Sequence, residues 1–365
     1  MENLPIVHVV NGRQKKLLQG HPWVYGNEIE RVEGEIEDGG LVTVVDFRGR
    51  YMGTGFYNSK SLITVRLLTH RQEEITDELI ASRVKAACDY RRFVMNRPGT
   101  DSCRLIYGEA DRLPGVIADR FGGVIVLQVL ALGMERFTQT IADALLACEK
   151  TDCLLLQNDD AIRRKEGMEC FTRVLYGTLP EENIIHENSV KLAVDVLGGQ
   201  KTGYFLDQKD NHLFVRQFCK DARVLDCFSY IGAFALNGAD ITAVCANCFD
   251  FLRAQVKAGE KYDVVVLDPP AFTKAHANMA SACRGYKEIA LSAMRLLPAG
   301  GVLATHSCSY HMPEEVFVNT VLSAAQDLHR QVRVITLRRQ DIDHPVLAGY
   351  PESHYLKSLW LQMLD

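Results

Sequence analysis

No apolar run in this 365-residue sequence approaches the length of a membrane span. The N-terminus, "MENLPIVHVVNGRQKK", lacks a hydrophobic stretch followed by a cleavage site. Both absences point to a cytoplasmic protein. An excess of positive charge is missing as well. The balance of 46 acidic against 41 basic side chains gives −5, which argues against a nonspecific, electrostatically driven nucleic-acid binder. An RNA enzyme with a local basic groove is still allowed. Basic clusters stand at Arg13, Lys15 and Lys16, at Arg91 and Arg92, at Arg163, Arg164 and Lys165, and at Arg338 and Arg339. Taken singly, each reads as a solvated face. The 11 cysteines contain one C-x2-C pair, Cys245 and Cys248, and no second metal-type pair. A structural zinc site needs four ligands, so this pair reads as two reduced thiols on or after a strand. Internal repeats and low-complexity tracts are also absent.

What is present suits a soluble globular chain long enough for two or three domains, with 47% hydrophobic and 24% charged residues. Residues 1–70 read as short strands with glycine turns, plus one helix in "RQKKLLQG" stopped by Gly20 and Pro22. "GLVTVVDFRGRYMGTGFYN" alternates around a turn as a hairpin should, and a small barrel is expected. Residues 71–185 read as an α+β unit. It has a helix in "TDELIASRVKAACDYRRFVM" with Leu79, Val84, Ala87 and Phe93 at helical spacing, two strands around Gly122-Gly123, and a second helix in "MERFTQTIADALLACEK". From 186 to 365 strands and helices alternate. Strands are expected in "RVLDCF", "ITAVCA", "YDVVVLDPP" and "GGVLATHSCS", helices near 246–259, 281–297 and 313–329, and a closing antiparallel pair at the end. That pattern predicts a doubly wound, mostly parallel sheet, an α/β Rossmann-like arrangement.

Such sheets bind ligands at the carboxyl ends of their strands. "VLDCFSYIGAF" places Asp226 at a strand end and Gly232 in the turn after it, without the G-x-G-x-x-G spacing a pyrophosphate requires. A cofactor lacking a pyrophosphate fits better, and S-adenosylmethionine is the obvious one. "VVVLDPPAF" ends a buried strand in Asp268. Two prolines then stop the ladder and stiffen the loop, with Phe272 beside the acid as a stacking partner for a planar base. "GGVLATHSCSYHM" puts Cys308 just past the next strand, where a thiolate is a nucleophile for an electrophilic ring carbon. His306 and His311 are close enough in sequence to influence its protonation. The plain alternatives are a strand–turn–helix at Asp226, a capping acid at Asp268 and an inert packed thiol at Cys308. "GQKTGYFLDQKDN" is either a loop over the cofactor or a connector.

In combination, "GQKTGYFLDQ", "VLDCFSYIGAFALN", "LDPPAF" and "SCSYHM" resemble the bacterial class I methyltransferases that modify 23S ribosomal RNA at carbon 5 of cytosine, of the ribosomal RNA large subunit methyltransferase I type. "GHPWVYGNEI" and "GTGFYN" resemble that family's PUA domain, a small RNA-binding barrel. "GEADRLPGVIADRFG" and "DDAIRRKEGM" resemble its central α+β domain. The resemblance covers nearly the whole chain. It implies that Cys308 attacks C6 of the cytosine and that Asp268 holds the N3/N4 edge. It also implies that Asp226, Tyr230, Gly232, Asn247, Lys201, Phe205 and Asp207 contact S-adenosylmethionine. The expected partner is 23S ribosomal RNA, with a homodimer left open and no membrane. "DPPAF" also fits amino-methylating enzymes, which need no cysteine.

One stretch departs from this pattern. Asp268 lies 42 residues after Asp226 (268 − 226). A turn helix, a second strand with a ribose-binding acid, a second helix and a third strand need on the order of 65 residues or more. The chain is short by roughly 25–30. "AFALNGADITAVCA" therefore reads as a junction in which one strand–helix unit is missing, with "ITAVCA" as the third strand. Asp240 and Asp250 are poor substitutes for the ribose acid. Asp240 precedes its strand, and Asp250 sits at the start of a helix. Reduced cofactor affinity follows as an expectation, as does a third reading of the chain, a non-catalytic RNA-binding relic.

Overall fold

A computed structural model describes residues 4–237, 241–273 and 278–365. It divides into two compact units, residues 1–206 with 342–353, and residues 207–341 with 354–365. The second unit thus begins later than the strand–helix alternation suggests, and a short C-terminal segment belongs to the first.

The first unit starts with six strands, β1 (Ile6–Val9), β2 (Trp23–Val24), β3 (Ile29–Glu33), β4 (Leu41–Val45), β5 (Tyr51–Tyr57) and β6 (Val65–Thr69), with helix α1 (Gln14–Leu18) after the first. They pair in the order β2-β6-β5-β4-β1-β3. The expected β4–β5 hairpin is present, and its turn is held by Asp46, which accepts from the backbone of Arg48 and Arg50. Gly53 and Gly55 permit the close β5–β6 approach, since a Cβ at Gly55 would lie 2.2 Å from the Arg66 carbonyl oxygen. A five-stranded sheet follows, of β7 (Ser102–Tyr107), β8 (Val116–Phe121), β9 (Val124–Val129), β10 (Cys153–Asn158) and β11 (Phe171–Gly177), in sequence order. Helices α2 (Asp77–Val94) and α3 (Thr138–Cys148) cover it, and α4 (Ala161–Lys165) lies between β10 and β11. Ile80, Val84, Ala87 and Cys88 bury the inner face of α2, whereas Phe93 is 84% exposed and does not continue that face. A hairpin of β12 (Ile184–Glu187) and β13 (Val190–Ala193) ends this region.

One arginine in each of two basic clusters is structural rather than solvated. Arg91 is buried, donating to the carbonyls of Arg104 and Asp343 and pairing with Asp111 at 2.5 Å. Arg163 is fully buried between the Val129 carbonyl and Glu135. A guanidinium is buried only where such partners replace its water, and spacing along the chain does not reveal those partners.

The second unit contains α5 (Lys209–Val215), β14 (Val224–Cys227), α6 (Ala233–Leu236), α7 (Cys248–Ala258), β15 (Val264–Leu267), α8 (Met279–Leu296), β16 (Val302–Ser307), α9 (Glu314–Asp327), β17 (Val332–Arg338) and β18 (Lys357–Met363). Its sheet runs β14-β15-β16-β18-β17. The first three strands are parallel, and β18 is antiparallel to both β16 and β17. Val264, Val266, Val302, Ala304 and Trp360 face Val215, Cys219 and Phe234 on one side. Val265, Leu267, Leu303, Leu359 and Leu361 face α7, α8 and α9 on the other. Cover on both faces explains why β15 is an unbroken apolar run and why every residue of β16 is buried.

The expected strand "ITAVCA" does not form. Residues 241–246 are irregular and exposed, Ile241 at 47% and Val244 at 63%. In the doubly wound order 3-2-1-4-5-6, the third strand pairs only with the second. Removing the second strand and its helix orphans the third strand and leaves β14 at the edge of the described sheet. The burial pattern records this, since three of the four β14 residues are only half-buried while all four of β15 are buried.

Candidate functional site

Register aligns the carboxyl ends of the three parallel strands. Cys227 is level with Leu267, and Leu267 with Thr305. The residues that follow therefore emerge along one edge, about 4.8 Å apart from strand to strand. They are the Phe228–Gly232 loop, the Asp268 loop and the Cys308 loop.

Asp226 sits in β14 itself. One carboxylate oxygen, Oδ2, accepts from the Ala235 backbone N–H at 3.2 Å, and the other is buried with no hydrogen-bond partner among the described residues. Burial pushes its pKa up to about 7, helped by the neighbouring Asp268 and opposed by the Ala235 N–H. The loop after it is strained, with Phe228 at φ 63°, Tyr230 at 51° and Gly232 at 79° in the left-handed region. Two bulky residues in that region cost on the order of 1–3 kcal/mol each, and such strain clusters at ligand sites. Tyr230 is exposed, and a Cβ at Gly232 would meet only open space. The glycine serves backbone conformation at the N-cap of α6, not close packing. That helix has four residues, the truncated turn helix that the junction implies.

Asp268 follows β15 directly, and its backbone N–H reaches the Cys227 carbonyl at 3.3 Å. Phe272 does not stand ready to stack on a base. It is packed inward against Tyr286 and Phe249, with ring centroids at 4.7 and 6.0 Å, and Gly285 of α8 leaves room for it. Its role is to anchor the Asp268 loop.

Cys308 is half-buried and held from both sides. Before it, the Ser307 hydroxyl accepts from the Tyr286 hydroxyl at 2.9 Å. After it, the Ser309 hydroxyl donates to the Thr273 carbonyl at 2.8 Å, tying the Cys308 loop to the Asp268 loop. The Ser309 carbonyl accepts from Lys357 Nζ, which also donates to the Tyr355 carbonyl at 2.7 Å. Lys357 of β18 is paired with Ser307 in register and is buried. Burial pushes its pKa down to about 8, resisted by the neighbouring Cys308 and Glu314. Sequence reasoning missed Lys357 and Tyr286. "YLKSLWLQML" reads only as a strand, and a lysine within it carries no motif. His306, considered as a partner for Cys308, turns to the other face of the sheet. It is fully buried beside Phe234 and Trp360, and burial with His212 nearby pushes it down to about 3, so it stays neutral.

The remaining expected cofactor residues lie in both units. Asn247 is exposed and caps α7, its Oδ1 accepting from Phe249 and Asp250 N–H at 3.0 and 3.3 Å. Asp207 is buried and accepts from the Tyr355 hydroxyl within the second unit. Lys201 and Phe205 lie in the first unit, with the ammonium 4.4 Å from the ring centroid. Asp250, the alternative ribose acid, has a side chain 74% exposed and faces Arg253 at 3.7 Å. Asp240 lies outside the described residues. Among the described residues no cluster suits a metal ion, and no helix is long and apolar enough to cross a membrane.

Comparison with known proteins agrees with this geometry. Residues 7–70 match the model of a PUA-like domain. The chain shares its fold with solved methyltransferases. A chain described as a SAM-dependent methyltransferase from Streptococcus mutans superposes with a TM-score of 0.82 at 18% identity, covering 98% of this chain and 99% of that one. A methyltransferase complexed with SAH matches equally well. Ribosomal RNA large subunit methyltransferase I of Klebsiella pneumoniae (strain 342) is 39% identical over 387 residues, covering 97% of both chains. The same enzyme from Enterobacter sp. (strain 638) is 39% identical over 383 residues, 96% of this chain and 97% of that one. An alignment 387 positions long against about 354 residues of this chain (97% of 365) leaves about 33 positions gapped on this side. That matches a missing strand–helix unit in size. Identity at this level across nearly the full length means that the chain belongs to the ribosomal RNA large subunit methyltransferase I family.

Proposed function

We propose that this chain methylates carbon 5 of a cytosine in 23S ribosomal RNA, with Cys308 as nucleophile and S-adenosylmethionine as methyl donor. The observation that carries the reading is the clamped pair of loops at the sheet edge, where Ser309 and Thr273 join the Cys308 loop to the loop bearing Asp268. Bound S-adenosylmethionine supplies a sulfonium-activated methyl group. Asp226 suits it, since its buried, unpartnered oxygen is an acceptor awaiting a donor and the Gly232 turn leaves open space.

Cys308 thiolate adds to C6 of the flipped cytosine, and the C5–C6 double bond becomes an enamine whose C5 attacks the methyl carbon. Asp268 holds the N3/N4 edge and stabilises the adduct. Loss of the C5 proton then expels Cys308 and restores the ring. Lys357 keeps a positive charge near the sulfur and fixes the loop through Ser309. The base must leave its stack, which costs a few kcal/mol. The N-terminal PUA-like domain contributes the RNA grip, and its open depression of about 570 Å³ is lined by Arg13, Tyr25, Asn27 and Ser59 among others. The missing second strand removes the ribose acid. Charge-assisted hydrogen bonds are worth about 1.5–3 kcal/mol each, so cofactor affinity is low for the fold.

The test is methyl transfer from labelled S-adenosylmethionine to 23S RNA lacking the mark. Cys308→Ala should abolish transfer. RNA carrying 5-fluorocytosine at the target should trap a denaturation-resistant adduct with the unaltered chain. Activity retained in Cys308→Ala would show amine methylation instead. Inactivity that is repaired by restoring the missing segment would identify this chain as an RNA-binding relic.

A further inference from the structure

We propose that Tyr310 is a specificity-determining residue that stacks on the nucleotide beside the target cytosine, an inference that rests on the reading of Cys308 as nucleophile. Among the described residues of the second unit, two phenylalanine, tyrosine or tryptophan rings are exposed, Tyr230 at 41% and Tyr310 at 45%. Both stand on the edge where the parallel strands end. Tyr230 lies in the loop after β14, and Tyr310 lies in the loop after β16, two residues beyond Cys308. Phe272, the aromatic beside Asp268, is packed inward and does not compete for the role.

The turn that carries Tyr310 is fixed at both ends. The Met312 N–H donates to the Ser309 carbonyl at 3.1 Å, which makes Tyr310 and His311 the two central residues of a β-turn. Ser309 is tied to Thr273 and Lys357. Met312 is 1% exposed, in the core that holds Tyr286 and Phe317. The His311 ring lies beside Tyr310, with centroids 4.5 Å apart and planes tilted by 47°. A ring held out to solvent on such a turn loses little freedom when a base stacks on it.

The chemistry excludes the target cytosine itself as the stacking partner. Addition to C6 brings the sulfur in perpendicular to the ring plane, on one face. The methyl carbon must also approach C5 along the π lobe, and the sulfur on the adjacent carbon obstructs its own face, so the methyl group arrives from the other. Both faces of the reacting ring are thereby occupied. The neighbouring nucleotides are in the opposite condition, because extrusion of the cytosine uncovers a face of each. Tyr310 replaces that lost stack on one side. Every base has a π face, so the contact gives a graded preference at the flanking position and not a hydrogen-bonded code.

The test uses the full-length chain and a seven-nucleotide RNA with a central cytosine between uridines. 2-Aminopurine, whose fluorescence is quenched by stacking, replaces the uridine next to the cytosine on either side in turn. At least one of the two probes should be quenched on titration with the unaltered chain. Tyr310→Phe keeps the ring and should titrate alike, whereas Tyr310→Ala should raise the midpoint about 5- to 150-fold. Absence of Tyr310-dependent quenching at both flanks would overturn the proposal. A loss in Tyr310→Phe as large as in Tyr310→Ala would assign the contact to the hydroxyl and overturn stacking. Quenching that depends on Tyr310 only when 2-aminopurine takes the place of the cytosine would overturn the assignment to the neighbour. The titration involves no methyl transfer, so its outcome stands apart from that of Cys308→Ala in the transfer assay.

Discussion

Replacing Asp226 by asparagine should raise stability at the expense of cofactor binding, and the size of the gain should depend on pH. Burial lifts the folded carboxyl from its usual 3.8 to about 7. Between these values the folded state holds a proton that the unfolded chain has lost. Stability therefore falls as pH rises through this window and levels off above it. Between pH 5.5 and pH 8 the loss is about 2 kcal/mol, and the full penalty above pH 8 is about 4 kcal/mol. Asparagine keeps an oxygen for the Ala235 N–H and carries no charge, so Asp226→Asn removes the pH-dependent part. The variant should gain about 2 kcal/mol more over the unaltered chain at pH 8 than at pH 5.5. The molecule offers a clean reporter. Its two tryptophans are Trp23, in the first unit, and Trp360, fully buried in the second. Urea unfolding followed by Trp360 fluorescence in a Trp23→Phe background reads the second unit alone. A stability difference between the two chains that stays the same at both pH values would refute the argument, as would one that shrinks as pH rises. The same variant should lose S-adenosylmethionine binding by calorimetry.

Other expectations follow from neighbouring contacts. Lys357→Met removes the ammonium beside Cys308 and the donor to the Ser309 carbonyl. Alkylation of Cys308 by iodoacetamide at pH 7 should slow several-fold, and the acidic limb of the kcat/KM profile should move to higher pH; an unchanged alkylation rate would remove Lys357 from the site. Asn247→Ala should cost about 1 kcal/mol in urea unfolding through loss of the α7 cap, while Asn247→Asp, which keeps the acceptor, should cost little. Gly232→Ala should cost roughly 1–2 kcal/mol, all of it from backbone conformation, because the added methyl meets open space; a much larger loss in the same assay would mean that the turn is packed.

Much of the second unit was legible because its strands are covered on both faces. "VVVL" is a continuous apolar run and "VLATHS" opens with one, and helices α7, α8 and α9 lie within a few residues of their expected ranges. Asp268 and Cys308 were legible because each directly follows one of these buried strands. The failure at "ITAVCA" has a physical cause. A strand's apolar pattern becomes structure only where a partner strand accepts its hydrogen bonds, and that partner is what the shortened junction removed. Phe272 was misread because an aromatic beside an acid looks the same in sequence whether it faces the cleft or the core. Gly285, far along the next helix, decides that by leaving it a place.

By itself, then, the sequence determined the alternation of elements, the acids and thiol at the strand ends, and the shortage of residues between Asp226 and Asp268. Tertiary structure alone decided which groups those ends meet. Lys357 lies 49 residues from Cys308 (357 − 308) and reaches its loop because β18 runs antiparallel to β16. Chain patterning reports which surfaces each element must bury, whereas electrostatic environment depends on distances of a few ångströms between residues far apart in sequence, which exist only once the sheet has closed.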